Sequence, residues 1–306
     1  MDAIPYFGEI CALAAPLAWS FAVILFRKTG ERVPPLALNL FKNVLALGLF
    51  AGTLAVVGSA APGGATGRDY GLLLASGVLG IGVSDTLFLM CLNRIGAGLQ
   101  AIVNTSYSPF NILLSMLYLG ERLTLPQFLG VGLILSAVLS VGWMRGPGGT
   151  RDRRRAALGV TLGLAATLTQ AVSIVGIKPL LDRLPGESLQ PLLWATSWRI
   201  VGGTAATALL IAARRSARRS LRSLRDARAW PVMVPASLLG TYVSLLFWMG
   251  GMKYTLVSVA SALNQTATLF TFVLAVLLLH EPATGRRLLG LVLGLGGVAL
   301  VTFAGA

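Results

Sequence analysis

Three ionisable residues stand inside long apolar stretches of this sequence: Lys42, Asp85 and Arg199. If these stretches cross a membrane, a charge near the middle of one costs about 2.5–3.5 kcal/mol, and three unpaired charges cost on the order of 8–10 kcal/mol. Each group must therefore find a counter-charge, extend to the membrane surface or face a water-filled cavity. Such residues are typical of pathways that carry solutes or ions.

The depth of these residues predicts which of them meet. Lys42 lies six residues into its stretch and Asp85 seven residues before the end of the next. At 1.5 Å per residue, both are roughly 9–10 Å from the same surface. We predict an ion pair between them, and the alternative for Lys42 is a side chain that snorkels to the surface. Arg199 lies about 15 Å deep, too deep to snorkel easily, and is the first candidate for contact with a solute.

The charges favour an anionic ligand. Two cations and one anion leave a cavity net positive, which suits a carboxylate or a phosphate, with Arg199 as the clamp. Asp85 could instead carry a proton, because burial favours the protonated form of a carboxyl group. Polar and aromatic residues of other apolar stretches complete the predicted binding site: Trp19, Asn104, Tyr107, Gln170, Trp198, Tyr242 and Asn264. For the two asparagines, hydrogen bonding between helices is the alternative role.

Ten apolar stretches provide the elements that position these residues. Of the 306 residues, 55% are hydrophobic and only 12% are charged, and the mean hydropathy is +0.78. Stretches of about twenty apolar residues are long enough to span a bilayer as helices. The predicted spans are 5–26, 36–58, 70–92, 98–119, 126–144, 157–178, 189–213, 231–252, 256–279 and 286–304. We therefore predict an all-α integral membrane protein with ten transmembrane helices.

Basic residues predict how these helices are oriented. Of the 25 lysines and arginines, three lie in the first loop, one in the third, five in the fifth, seven in the seventh and two in the ninth, eighteen in all. The even-numbered loops hold five, so the odd-numbered loops are expected in the cytoplasm and both termini outside. The basic segment 214–228 is either such an orienting loop or a helix on anionic lipid headgroups. Without a soluble domain beside it, we expect no nucleic-acid partner.

The chain also repeats itself. The stretch at 117–130 returns at 277–290 with six identical positions, at a constant spacing of 160 residues. Further pairs at this spacing are Gly80/Gly240, Ser84/Ser244, Asn104/Asn264 and Phe110/Phe270, and after a shift in the first loop Lys42 corresponds to Arg199. This predicts two five-helix repeats, 1–147 and 148–306. Because five is odd, the second repeat must be inverted in the membrane, an arrangement found in secondary transporters.

The junction before the last helix of each repeat is expected to be structural. Glu121 and Thr124 occupy it in the first repeat, and Glu281 and Thr284 in the second. The threonine can cap the next helix, and the acid is expected beside the positive end of that helix.

The fifth and tenth spans carry small residues at helical spacing. Gly132 and Ser136 mark the fifth span, and Gly290 and Gly294 mark the tenth. Such faces let helices approach closely. They predict either a scaffold within the chain or a homodimer contact through helices five and ten.

Taken with ten spans in two halves, the repeated Glu-x-x-Thr-x-x-x-x-x-Gly stretch (121–130 and 281–290) resembles the EamA family of the drug/metabolite transporter superfamily. Pro109, in the span before the first copy, is similar to that family's pattern too, whereas Leu269 departs from it in the second. The resemblance covers most of the chain and implies a carrier of the cell inner membrane. It also implies transport by alternating access. Members of this family often export amino acids or related metabolites, and the resemblance does not indicate one substrate.

Two other classes of function were weighed. A channel-like facilitator is compatible with the duplication. A membrane-embedded enzyme has little support, because His280 is the only histidine and no cysteine or paired-aspartate cluster accompanies it. No Gly-x-x-x-x-Gly-Lys-Ser/Thr loop for nucleotides occurs either. We therefore expect no enzyme activity, no cofactor and no metal, and partners limited to a small solute and membrane lipid.

Overall fold

A computed structural model describes residues 6–58, 64–119, 124–142, 149–184, 190–213, 215–254 and 263–303. These residues form helices and turns, and no β-strand occurs among them. The helices are α1 Phe7–Thr29, α2 Pro35–Val57, α3 Gly67–Ile95, α4 Ala97–Asn104, α5 Tyr107–Leu119, α6 Leu125–Gly142, α7 Gly149–Val175, α8 Lys178–Leu181, α9 Gln190–Ala213, α10 Arg215–Ser220, α11 at 230–254, α12 Thr266–Leu279 and α13 Gly285–Phe303. A short 3-10 turn, Leu221–Arg225, precedes α11.

Length and composition identify the membrane-crossing helices. Five helical segments of the described chain are long and apolar enough to span a bilayer: Phe7–Thr29, Pro35–Val57, Gly67–Ile95, Arg154–Leu181 and Trp230–Gly251. Leu125–Ser140 and Thr266–Leu279 are shorter apolar helices. The protein is thus an all-helical, multi-pass membrane protein.

Two of the long helices contain a π-helical segment, which the apolar pattern did not predict. The segments are Val78–Ser84 in α3 and Leu238–Val243 in α11, and their first residues are 160 positions apart. Each contains a glycine against which a neighbouring helix packs: Ser173 lies against Gly80, and a Cβ on Gly240 would lie 2.8 Å from that of Ala22. π-segments inside α-helices are frequent at functional sites.

The predicted fourth span, 98–119, is broken rather than continuous. Helix α4 ends at Asn104, and α5 begins at Tyr107 after a turn. In that turn Thr105 Oγ1 donates to the Ile102 carbonyl and Ser106 Oγ to the Val103 carbonyl, both at 2.7 Å. Side-chain bonds of this kind compete with the helical ladder. A turn at Gln265 precedes α12 in the second half, again 160 positions after Thr105.

The first helix of each half, α1 or α7, packs against helices at corresponding positions of the other half. Helix α1 packs against α11, and α7 packs against α3. Helix α1 also packs against α12, and α7 packs against α5. Helices α6 and α13 pack against each other, as do α2 and α9. The packing therefore follows the correspondence seen in the sequence.

The first loop contacts the end of α3 and the segment before α11 at one end of the bundle. Asn93, at the end of α3, donates to the Gly30 carbonyl in the first loop at 3.3 Å. Arg32 of the first loop donates to the Arg228 carbonyl before α11 at 3.5 Å.

At the opposite end, the segment after α8 contacts the start of α3, and the start of α9 contacts the end of α2. Arg183 Nη2 lies 2.9 Å from Asp69 Oδ1 at the start of α3. Gln190 Nε2, at the start of α9, donates to the Val57 carbonyl at the end of α2 at 2.8 Å.

Glu281 occupies a different helix end from the one predicted. Its carboxylate accepts hydrogen bonds from the backbone amides of Ala97 at 2.7 Å and Gly98 at 3.2 Å, at the N-terminus of α4. Arg287 Nη1 lies 3.1 Å from Glu281 Oε2, the oxygen that also accepts from Gly98. Unpaired amides at a helix start attract an anion, and the start of α4 lies closer to Glu281 than the expected start of α13.

Thr284 lies at the start of α13, in the capping position predicted for it. Thr284 Oγ1 accepts a hydrogen bond from the Arg287 amide at 3.4 Å, in front of α13. Thr124 directly precedes α6, and its amide donates to Gln127 Oε1 at 2.9 Å. Glu121 lies outside the described residues.

The small residues of the fifth and tenth spans serve mainly within the chain. A Cβ on Gly297 of α13 would lie 2.6 Å from the Gly130 carbonyl of α6, and one on Gly290 would lie 3.0 Å from Ser140 Oγ. Gly294 packs against Thr105. Gly132 faces open space, so a homodimer contact there stays a prediction.

Two glycines let α3 and α9 cross with their backbones in contact. A Cβ on Gly77 would overlap the Arg199 carbonyl, and one on Gly202 would overlap the Leu74 carbonyl. We expect Gly77→Ala to lower the melting temperature of the purified protein in detergent by several degrees, because overpacking costs about 1–3 kcal/mol. Loss of helical circular dichroism on heating measures this.

Gly71→Ala in the same helix is the matched control. No atom of a neighbour lies within 4 Å of a Cβ at Gly71, so this variant should melt at the wild-type temperature or slightly above it, since alanine loses less chain entropy in a helix. An equal loss of stability in both variants would mean that the crossing of α3 and α9 is not tight at Gly77.

Candidate functional site

An ion pair joins α2 to α3. Lys42 Nζ lies 2.6 Å from Asp85 Oδ2, so the predicted pair is present in the structure. Lys42 is only 5% exposed, which excludes the snorkelling alternative. The side chain of Asp85 is 26% exposed, so the open side of the pair is its carboxylate.

Two asparagines extend this pair along α2. Lys42 Nζ also donates to Asn43 Oδ1 at 2.9 Å, and Asn43 Nδ2 donates to Asn39 Oδ1 at 3.3 Å. Both asparagines are fully buried. Neither asparagine was predicted, although Asn39, Lys42 and Asn43 place three polar residues within five positions of an apolar helix.

Asn39 connects the network to the π-helical segment of α3. Its Nδ2 lies 2.9 Å from the Ile81 carbonyl and 3.1 Å from the Gly82 carbonyl. The same nitrogen lies 2.9 Å from Thr86 Oγ1. A π-segment leaves carbonyls without regular i→i−4 partners, and Asn39 supplies the donor that these need in an apolar environment.

Arg199 contacts the other end of the same segment. Its Nε donates to Ser76 Oγ at 3.0 Å and its Nη2 to Ser173 Oγ at 3.2 Å. The two serines also bind each other and each other's backbone carbonyl at 2.9 Å. Neither serine was predicted, and nothing in the sequence distinguishes them from serines that bind their own helix.

The guanidinium keeps unused donors. Among the described residues, no carboxylate lies within ion-pair distance of Arg199. Asp85 acts on it electrostatically from beyond that distance. A guanidinium has five N–H donors, and two serines use only two of them, so the arrangement can bind an anionic group in addition.

Three predicted site residues, Trp19, Trp198 and Tyr242, pack mainly against other aromatic rings or a hydroxyl group. Trp19 packs on Phe88 with 5.7 Å between ring centroids. Trp198 packs edge-on against Tyr70 at 4.9 Å, within an apolar cluster. Their rings are partly buried, and the structure does not bring them together with Arg199.

Tyr242 lies in the π-segment of α11 and reaches α2. Its hydroxyl is 2.6 Å from Thr53 Oγ1, and its ring lies against Phe50 with 5.2 Å between centroids. This hydroxyl is therefore already paired.

The remaining predicted residues lie near the helix breaks and the π-segment of α3. Asn104 is exposed at the end of α4, one turn before Tyr107, and Asn264 is partly buried just before the turn at Gln265. Gln170 lies on α7 against Gly80, one turn before Ser173. The geometry thus places Lys42, Asp85, Arg199 and Gln170 around the π-segment of α3, and Tyr107 begins α5 after the helix break.

Comparison with known proteins gives one family and one fold. The profile of the EamA-like transporter family matches residues 6–143 and again residues 157–303. No curated protein matches the chain. A crystal structure described only as that of a protein aligns over 97% of this chain and 96% of its own, with a TM-score of 0.62 and 16% identity. At that identity the likeness shows the fold alone.

Charge reversal tests the buried pair. Lys42→Asp or Asp85→Lys alone should strongly lower the melting temperature in detergent, because an uncompensated buried charge costs about 3–5 kcal/mol. The double variant restores opposite charges and should recover most of the loss. A double variant no more stable than either single variant would contradict a stabilising pair.

The exposed pair between Lys178 and Asp182 is the control. Its nitrogen and oxygen are 2.9 Å apart, but the side chains are 50% and 60% exposed. Exposed pairs contribute about 0–1 kcal/mol, so the same reversals at 178 and 182 should barely move the melting temperature.

Proposed function

The chain belongs to the EamA-like transporter family, and we propose that it moves small organic solutes across the cell inner membrane by alternating access, as a secondary transporter. We propose amino acids or similar carboxylate-bearing solutes as the cargo, in export or exchange. The observation that carries the proposal is Arg199, a guanidinium within the helix bundle that two serines hold and that no described carboxylate neutralises.

The proposed architecture is ten transmembrane helices in two inverted repeats, 1–147 and 148–306. Two observations support it: the π-segments at matching positions of α3 and α11, and the exchanged contacts of α1 and α7. Transporters built this way place the substrate between the halves near the middle of the bilayer, at interrupted helices. The breaks after Asn104 and at Gln265 are interruptions of that kind.

The residues around the π-segment of α3 have different proposed roles. Arg199 binds the solute carboxylate through its unused N–H groups, since guanidinium matches carboxylate geometry. Lys42 and Asp85 form the coupling pair, in which Asp85 is the group open to a proton or to a cationic part of the solute. The helix breaks beside Asn104 and Asn264 supply polar groups around the rest of the solute.

Counterflow in proteoliposomes tests the transport function. Vesicles preloaded with unlabelled solute should accumulate a labelled carboxylate-bearing solute from a panel of amino acids, other small carboxylates and organic cations. Arg199→Ala should abolish the accumulation, because the proposed clamp is gone. Thr204→Ala on the same helix is the matched control, since Thr204 only bonds the Ile200 carbonyl of its own helix.

Each outcome of this experiment decides a separate point. Counterflow of cations only, unaffected by Arg199→Ala, would leave a transporter but remove the proposed site. Dissipation of the labelled solute without transient accumulation would indicate a channel-like facilitator, because counterflow needs a carrier.

The orientation is tested separately. The odd-numbered loops hold eighteen basic residues, so the end of the bundle that carries the first loop is proposed to face the cytoplasm. A reporter enzyme active only outside the cytoplasm should be active when fused to either terminus. Activity of a cytoplasm-only reporter at both termini would reverse the proposed topology.

A further inference from the structure

Gln170 has a buried acceptor that the described chain does not use. Its Oε1 is shielded from solvent and has no hydrogen-bond partner there. A buried polar atom without a partner destabilises a protein, and in the apolar part of a membrane no lipid group compensates for it. An unpaired acceptor at this place indicates that something outside the described chain supplies the donor.

The position of this acceptor connects it to Arg199. Gln170 and Ser173 lie one turn apart on α7, and both meet α3 at Gly80: a Cβ there would be 3.1 Å from Gln170 Oε1 and would overlap Ser173 Oγ. The same Ser173 Oγ accepts from Arg199 Nη2 at 3.2 Å. The unused acceptor of Gln170 and the unused donors of Arg199 therefore lie on either side of one serine.

Gly80 is required for this arrangement. It lies in the π-segment Val78–Ser84, where the missing side chain leaves the space into which Ser173 and Gln170 project. Ser173 is only 2% exposed. The glycine thus leaves room at this point for two polar side chains of α7.

We infer that Gln170 is a specificity-determining residue that accepts a hydrogen bond from an N–H or O–H group of the solute, next to the carboxylate that Arg199 binds. The inference rests on the proposed function. A neutral amide oxygen accepts from an ammonium or a hydroxyl group but gains nothing from a carbonyl oxygen. The ligand class is thus a small carboxylate with a hydrogen-bond donor on the adjacent carbon.

Three labelled solutes with one carbon skeleton test the inference: alanine, lactate and pyruvate. They carry an ammonium, a hydroxyl and a carbonyl group beside the carboxylate. Wild-type protein should take up alanine or lactate by counterflow at least about tenfold faster than pyruvate, as expected for one hydrogen bond in a buried site. In Gln170→Leu this ratio should fall to about one, and Arg199→Ala should lose all three solutes. The alanine and lactate arms show whether the donor is an ammonium or a hydroxyl group.

The melting temperature of the Gln170 variant provides a second readout, because a solute-binding role and a purely structural role predict changes of opposite sign. Gln170→Leu removes an unpaired buried oxygen and should raise the melting temperature in detergent, whereas loss of a structural contact would lower it. Gln190→Leu is the control, because Gln190 bonds the Val57 carbonyl at the end of the bundle and should not change the solute ratio.

The possible failures are distinguishable. Equal wild-type rates for the three solutes, or an unchanged ratio in Gln170→Leu, would overturn the inference and leave the carboxylate transporter intact. A lower melting temperature of Gln170→Leu would overturn it as well. If wild-type protein moved none of the three, the proposed carboxylate transport would fail and the inference with it.

Discussion

An ammonium group buried among apolar helices needs a counter-charge within hydrogen-bond distance, and Asp85 gives Lys42 one at 2.6 Å. The rest of the network depends on this pair, because Lys42 orients Asn43, Asn43 orients Asn39, and Asn39 binds the carbonyls of the π-segment. Without the pair, the remaining charge would be costly, and the donors that hold the π-segment would lose their anchor. A single electrostatic contact thus joins α2 to α3 and anchors the side chains that bind the irregular backbone of α3.

The π-helical segment occurs once in each half, and comparison of the two copies indicates its cause. The two π-segments begin 160 residues apart, yet their neighbours differ: Ser173 lies against Gly80, whereas Ala22 and Phe26 lie against Gly240. Since the surroundings are not the same, the shared element is the glycine within each copy. Glycine weakens a helix and allows close approach, and the neighbouring helices then use the space in different ways, with polar groups in one half and apolar groups in the other.

Much of this was predictable from the sequence, and the limits have physical reasons. The apolar stretches follow from composition, and the meeting of Lys42 with Asp85 follows from their depth; both are local properties. The family resemblance rests on the motif that is repeated at 121–130 and 281–290. The turn at Thr105 and the π-segments depend on hydroxyl groups and glycines that also occur in regular helices, so the pattern predicted continuous helices instead. Glu281 was assigned to the nearest helix in sequence, but tertiary packing brings the start of α4 closer. Ser76 and Ser173 become ligands of Arg199 only after three helices have met.

The two cations inside the bundle have different partners, because the repeats differ at the positions that supply these partners. Lys42 corresponds to Arg199, and at the spacing of 160 residues Asp85 corresponds to Leu245. The second half therefore keeps the cation and lacks the anion, and Arg199 donates to two serine hydroxyls, which orient a guanidinium without neutralising it. No carboxylate of the described residues pairs with Arg199, so the carboxylate of the proposed solute would supply in the second half the anion that Asp85 supplies in the first.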